Sequence, residues 1–141
     1  MAKTDVAIVT EMKDAELIHV PLKASAVVLH GTFALIDSTG YGITSSAAVA
    51  ATQKCLGVWD ATYDNTGGAD ADRLGLVRRK KAFLFKNLET DAVTQADVGA
   101  TVYVADNQTI AKTHNTNVRP IAGTFLGFDT QFTDHVWVEI T

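Results

Sequence analysis

Short apolar runs separated by turn-forming residues recur along the whole chain, and apolar positions inside several of them repeat every second residue. That is the spacing of strands with one face turned inward. Val27 to Ile36 is rich in β-forming residues and ends at the turn cluster Asp37-Ser38-Thr39-Gly40. Tyr41 to Thr44 reads as a short return strand, and Leu56 to Tyr63 as the next, closed by Asp64-Asn65-Thr66-Gly67-Gly68. Arg73 to Arg79 and Ala82 to Lys86 follow, the latter with Phe83 and Phe85 on one face. Thr101 to Ala105 and Gln108 to Lys112 flank Asp106-Asn107, residues that tolerate the left-handed conformation of a tight hairpin. Ile121 to Phe128 and His135 to Ile140 make the last pair. In the final strand Val136, Val138 and Ile140 alternate with Trp137 and Glu139, so one face is aliphatic.

Helical signals are short. Ser45 to Gln53 is alanine-rich behind a serine cap and predicts a short helix. Thr94 to Gly99 predicts a single turn, capped by Thr94 and ended by Gly99. Neither is long enough to organise a fold. The pattern therefore predicts a mostly β domain over residues 16–141. Residues 1–15 carry no turn signal and no clear period, and read equally as an arm that orders against a partner or as a first strand.

Composition narrows this picture. A chain of 141 residues with 47% hydrophobic and 20% charged residues suits one domain with a packed core. The only prolines, Pro21 and Pro120, leave most strands free to lie inside a sheet. A formal net charge of −4 argues against a nucleic-acid partner. No apolar run approaches the length of a membrane span, and the first ten residues lack the apolar core of a signal peptide, so no membrane partner is expected. Cys55 is the only cysteine and sits in an apolar stretch, which favours a small buried hydrophobe over a reactive thiol.

Catalytic chemistry is not visible. His19, His30, His114 and His135 are scattered without metal-ligand spacing, and the common hydrolase and phosphate-loop signatures are missing. No cofactor and no metal are expected. Gly67-Gly68-Ala69-Asp70-Ala71-Asp72 comes close to a calcium-binding nonapeptide, but Asp70 replaces a glycine and the motif occurs once, whereas that site needs stacked repeats. The bland reading, an acidic exposed loop, is preferred. Arg78-Arg79-Lys80-Lys81 is a basic run that reads as a solvated loop or as a contact for an acidic protein surface.

One resemblance covers most of the chain, from about Ala24 onward. Leu56-Gly57-Val58-Trp59 leads to Asp64-Asn65-Thr66-Gly67-Gly68-Ala69-Asp70-Ala71-Asp72, followed by a basic strand and Ala82-Phe83-Leu84-Phe85-Lys86. Then come the stretch from Ala96 to Ala111, the late Ala122-Gly123-Thr124, and Val136-Trp137-Val138-Glu139-Ile140. In order and spacing these resemble the head decoration, or capsid cement, proteins of tailed bacteriophages. Ala71 stands where that family often has glycine. The resemblance implies a small single-domain β-barrel or β-tulip with an extended N-terminal arm and no catalytic residues. It further implies a structural virion protein on the outer surface of the assembled capsid, made in the host cytoplasm. There it would bridge neighbouring major capsid subunits as a homo-oligomer, most often a trimer, without touching DNA. The expected capsid contacts are Lys3, Val6, Ile8, Thr10 and Met12 of the arm, where Val6, Ile8 and Met12 would share a face of an added strand, and Arg78, Arg79, Lys80 and Lys81. Competing readings are a tail or baseplate β-domain and a small-molecule-binding β-barrel.

Overall fold

Two hydrophobic clusters account for the strands of this protein, whose computed structural model describes residues 3–141. Met1 and Ala2, the start of the expected arm, lie outside the described residues. The chain is mostly β, with strands β1 (Leu17–Pro21), β2 (Val27–Val28), β3 (Phe33–Ile36), β4 (Lys54–Trp59), β5 (Tyr63–Asp64) and β6 (Leu74–Arg78) in its first half. The second half holds β7 (Lys81–Asn87), β8 (Thr101–Asp106), β9 (Thr109–Ala111), β10 (Ile121–Phe128) and β11 (His135–Ile140). The later strands close a five-stranded barrel in the order β10-β11-β7-β9-β8. The earlier ones form a four-stranded antiparallel sheet, β1-β6-β4-β3, and a two-stranded ribbon, β2-β5.

Period-two alternation explains the barrel. Val136, Val138 and Ile140 point inward with at most 2% exposure, while Trp137 and Glu139 face out. Phe85, Val102, Val104, Ile110, Ala122 and Phe125 join them, so the interior is filled by side chains, as narrow barrels are. The sheet is shared between two cores. Phe33 and Val58 turn toward the barrel cluster, with Phe33 stacked on Phe85 at 3.9 Å between ring centroids. Their neighbours Ala34 and Trp59 turn to the other side, against Val20, Leu22, Ala26, Val28 and Val77.

The last strand pair falls where the sequence predicts it, Ile121–Phe128 with His135–Ile140, and β6, β7 and β8 lie within a residue or so of expectation. Four expectations fail, each for a local reason. The run Val27 to Ile36 is not one strand: Gly31, at φ +82°, turns the chain from the ribbon to the sheet. Tyr41 to Thr44 forms no strand; Gly42 makes only isolated bridges, to Leu22 and to Ile36. Leu56 to Tyr63 divides into β4 and β5, because the chain bends at Asp60 and Ala61, just after the Asp60 N–H makes a last bond to the Leu76 carbonyl of β6 at 2.9 Å. Ser45 to Gln53 contains no helix. The Ser45 N–H bonds the Val27 carbonyl at 3.0 Å and its hydroxyl accepts from Leu29 N–H at 2.9 Å, which ties the would-be cap to the edge of β2.

The β8–β9 hairpin is present but closes differently. Neither Asp106 nor Asn107 is left-handed; the Asp106 carboxylate accepts the Gln108 N–H at 3.0 Å, an Asx turn that does the same work. The turn over Thr94 to Gly99 exists as a 3-10 turn, Gln95–Asp97, with Gly99 at φ +90° after it. Thr94 is its N-cap, as expected, and the Asp97 carboxylate reaches back to accept the Thr94 N–H at 2.7 Å.

Candidate docking surface

Strand β1 has one free edge, and it lies directly downstream of the arm. The Arg79 N–H donates to the Glu16 carbonyl at 2.9 Å and the Leu22 N–H to the Arg73 carbonyl at 2.9 Å, bracketing the β1–β6 register. Residues 16, 18, 20 and 22 therefore direct their backbone groups at β6, and residues 17 and 19 direct theirs outward. Beyond them the edge is closed, since the Gly42 N–H bonds the Pro21 carbonyl and the Lys23 N–H bonds the Gly42 carbonyl, both at 2.9 Å. Two N–H and two C=O groups, on Leu17 and His19, are thus left without a strand partner among the described residues. Such an edge is a template for an added strand.

The face beside this edge sets four apolar residues around His19 and Arg78. Register places Leu17, His19 and Pro21 alongside Arg78, Leu76 and Leu74. Leu17 is 41% and Leu74 51% exposed. On the opposite face of the same strands, Ile18, Val20 and Val77 pack with Trp59 of β4 into the second core. The sequence pattern alone does not mark out Leu17, His19 or Leu74, because an exposed leucine and a core leucine look alike until the pairing is known.

Lys3 to Ala15 form no strand, and their side-chain hydrogen bonds are local, such as those of the Thr4 hydroxyl with Val6. Lys3 and Thr10 are exposed, as are Val6 (73%), Ile8 (68%) and Met12 (93%). Val9 is also exposed, so in this conformation the arm is apolar on more than the one expected face. A first strand within the protein's own sheet is not what these residues form; that position belongs to β1.

The basic run is largely engaged within the chain. Arg78 ends β6 and its guanidinium pairs with Asp60. Lys81 opens β7 and pairs with Glu16 at 3.3 Å. Arg79 is half-buried, with its backbone on Glu16 and its Nε without a partner among the described residues. Lys80 sits at φ +61° with its N–H on the Ile140 carbonyl, and its side chain is exposed. The run is the tight link between sheet and barrel, not a solvated loop. It does lie beside the root of the arm, so the two groups of expected contact residues share one region.

The other candidate chemistry is spent on structure. The chain from Asp64 to Asp72 is stitched to the segment Leu22–Ala26: Asp70 accepts the Ala24 N–H at 2.8 Å, and buried Asn65 donates to the Lys23 carbonyl at 2.9 Å. Asp64 and Asp72 accept the Thr66 and Ala69 N–H groups at 2.8 and 2.9 Å. The Thr66 hydroxyl and N–H hold Asp64 below the usual carboxylate range. Among the described residues no three His, Cys, Asp or Glu gather as a metal site. Burial pushes the Cys55 thiol up to about 12, so it packs as a hydrophobe against the barrel core. A cleft of about 390 Å³ opens between the start of β4 and the start of β10, outside the filled barrel interior.

No protein-family model, curated protein or solved structure matches the chain.

Proposed function

We propose that this protein is a structural component of a phage head that binds the outer surface of the assembled capsid and stabilises it by bridging neighbouring major capsid subunits. The observation that carries the proposal is the pairing of an apolar, unattached arm with an open strand edge at its root. Lys3 to Met12 offer exposed Val6, Ile8 and Met12, and a few residues later Leu17 and His19 offer backbone groups with no strand partner among the described residues. Strand addition at such a place needs only backbone geometry and apolar cover, both of which a repetitive shell can supply many times over. The resemblance of most of the sequence to capsid decoration proteins supports the same reading, including a homo-oligomer of three. Lys80, with the nearby guanidinium of Arg79, adds positive charge at the arm's root for an acidic partner.

The test is co-sedimentation of the purified chain with expanded, undecorated heads, followed by cryo-EM of the pellet. Stoichiometric density at threefold positions, with heads more resistant to heat, is the expected outcome. Binding to tails and not to heads would transfer the protein to a tail or baseplate, and binding to neither would remove the virion reading.

A further inference from the structure

The loop between β9 and β10 holds three consecutive non-glycine residues, Asn115, Thr116 and Asn117, in the left-handed region at φ +50°, +57° and +61°. Asparagine tolerates this region as a single residue, but three in succession are disfavoured in an L-chain, and a β-branched threonine is among the least suited to it. The conformation must therefore be held from outside. Two sets of bonds do so. The His114 carbonyl accepts the Val118 and Arg119 N–H groups at 2.9 and 3.0 Å, and the His114 ring accepts the Asn117 N–H on Nδ1 at 2.8 Å. Asp91, from the 3-10 turn Glu89–Asp91, anchors the loop's shoulders. Its carboxylate accepts the Thr113 N–H at 3.1 Å, the Thr113 hydroxyl at 2.6 Å and the Arg119 guanidinium at 2.8 Å.

The ring bond fixes a protonation state. A backbone N–H can only donate, so Nδ1 must present a lone pair and any ring proton must sit on Nε2. A second proton on the imidazole would occupy Nδ1 and set two N–H groups against each other at the point where the strained turn is tied down. Tyr103 of β8 packs edge-on to the ring at 5.6 Å and offers no compensating charge. The charged groups nearby are already paired, Asp91 with Arg119, and Lys112 with Asp97 at 3.7 Å.

We propose that residues 113–118 are an acid-released clasp, in which protonation of His114 Nδ1 breaks the Asn117 bond and loosens the left-handed turn, while the His114 carbonyl still bonds Val118 and Arg119 and Asp91 still holds the two ends. The loop then has two discrete shapes, selected by the imidazole, with the barrel unchanged beneath it.

Amide and imidazole NMR of the full chain over an acid titration tests this. The Asn117 amide is expected to shift with the same midpoint as the His114 ring, and its hydrogen-exchange protection to fall about tenfold, as loss of one hydrogen bond predicts. His114→Asn keeps an acceptor at the corresponding position and cannot be protonated. It should retain the neutral-pH loop and lose the titration of residues 115–118. A His114 ring that titrates while Asn117 stays fixed would overturn the proposal, as would a loop in H114N that titrates like the parent. The first comparison needs only the parent chain, so it decides the matter even if the variant folds poorly.

Discussion

The backbone N–H of Arg79 donates to the carbonyl of Glu16 at 2.9 Å, which makes the root of the arm and the link between sheet and barrel one structural unit. Lys81 reinforces it through Glu16 at 3.3 Å. Everything upstream of this junction is separable. Deleting residues 1–14 keeps both Glu16 contacts with the link and, among the described residues, removes no buried side chain. The shortened chain should unfold within about 0.5 kcal/mol of the parent yet fail to co-sediment with heads. Full head binding by the shortened chain would take the arm out of the proposed contact.

Acid should weaken the protein through Asp37. The Lys23 ammonium bonded to it, then the Thr39 hydroxyl and N–H, lower its carboxyl from the ordinary 3.8 to about 2. A group whose pKa is depressed on folding stabilises the fold above its unfolded value and loses that contribution as pH falls through the folded one. The window is therefore from about 4 down to about 2. The pair is partly exposed, with Lys23 at 41% and Asp37 at 22%, so screening keeps its worth at about 0.2–1 kcal/mol. Asp37→Asn should cost that amount at neutral pH and flatten this part of the acid limb in thermal melts. An unchanged limb in the variant would assign the acid sensitivity elsewhere.

The barrel half was legible in the sequence, whereas in the sheet half only β6 was, for a physical reason. Each barrel strand buries one face in one core, so Val136-Trp137-Val138-Glu139-Ile140 announces itself by simple alternation. Strands β3 and β4 send alternate residues into two different cores, so Phe33-Ala34-Leu35-Ile36 is apolar throughout and its boundaries do not show. The break at Gly31 and the detour at Asp60 depend on partners far along the chain. Strand β1 was hidden for another reason. Leu17 and His19 face outward and only Ile18 and Val20 face in, too short a run to stand out beside an unpaired arm. The arm residues could be singled out as apolar without a turn; the open edge that gives them a docking place could not, since it exists only through the pairing of β1 with β6.

Trp59 is wholly buried against two glycines, and this contact sets a tight limit on packing. A Cβ added at Gly75 would lie 2.5 Å from the indole, and one added at Gly42 would lie 2.8 Å from it. The ring cannot retreat, because Leu22, Val28 and Val77 surround it in the same core. Gly75→Ala should therefore destabilise by about 1–3 kcal/mol through overpacking. In a Trp137→Phe background, where Trp59 is the remaining indole, its emission should shift to the red as the ring is displaced. A neutral effect on stability would mean that the sheet opens enough to admit a methyl group.

Ala71 offers the opposite test, a site where glycine should help. Its φ of +66° lies in the left-handed region, and its N–H bonds the Leu22 carbonyl at 2.8 Å, so the conformation is fixed by the stitching of the acidic loop. Alanine in that region costs about 1–2 kcal/mol, and the greater freedom of glycine in the unfolded chain offsets part of the gain. Ala71→Gly should therefore stabilise by about 0.5–1 kcal/mol, raising the thermal midpoint by about 2–4 °C. The side chain is exposed and touches no core, so no cavity competes with this effect. A lowered midpoint would show that the loop does not hold Ala71 in the left-handed region, and with it that the hydrogen bonds from Asp70 and Asn65 do not fix the segment as described.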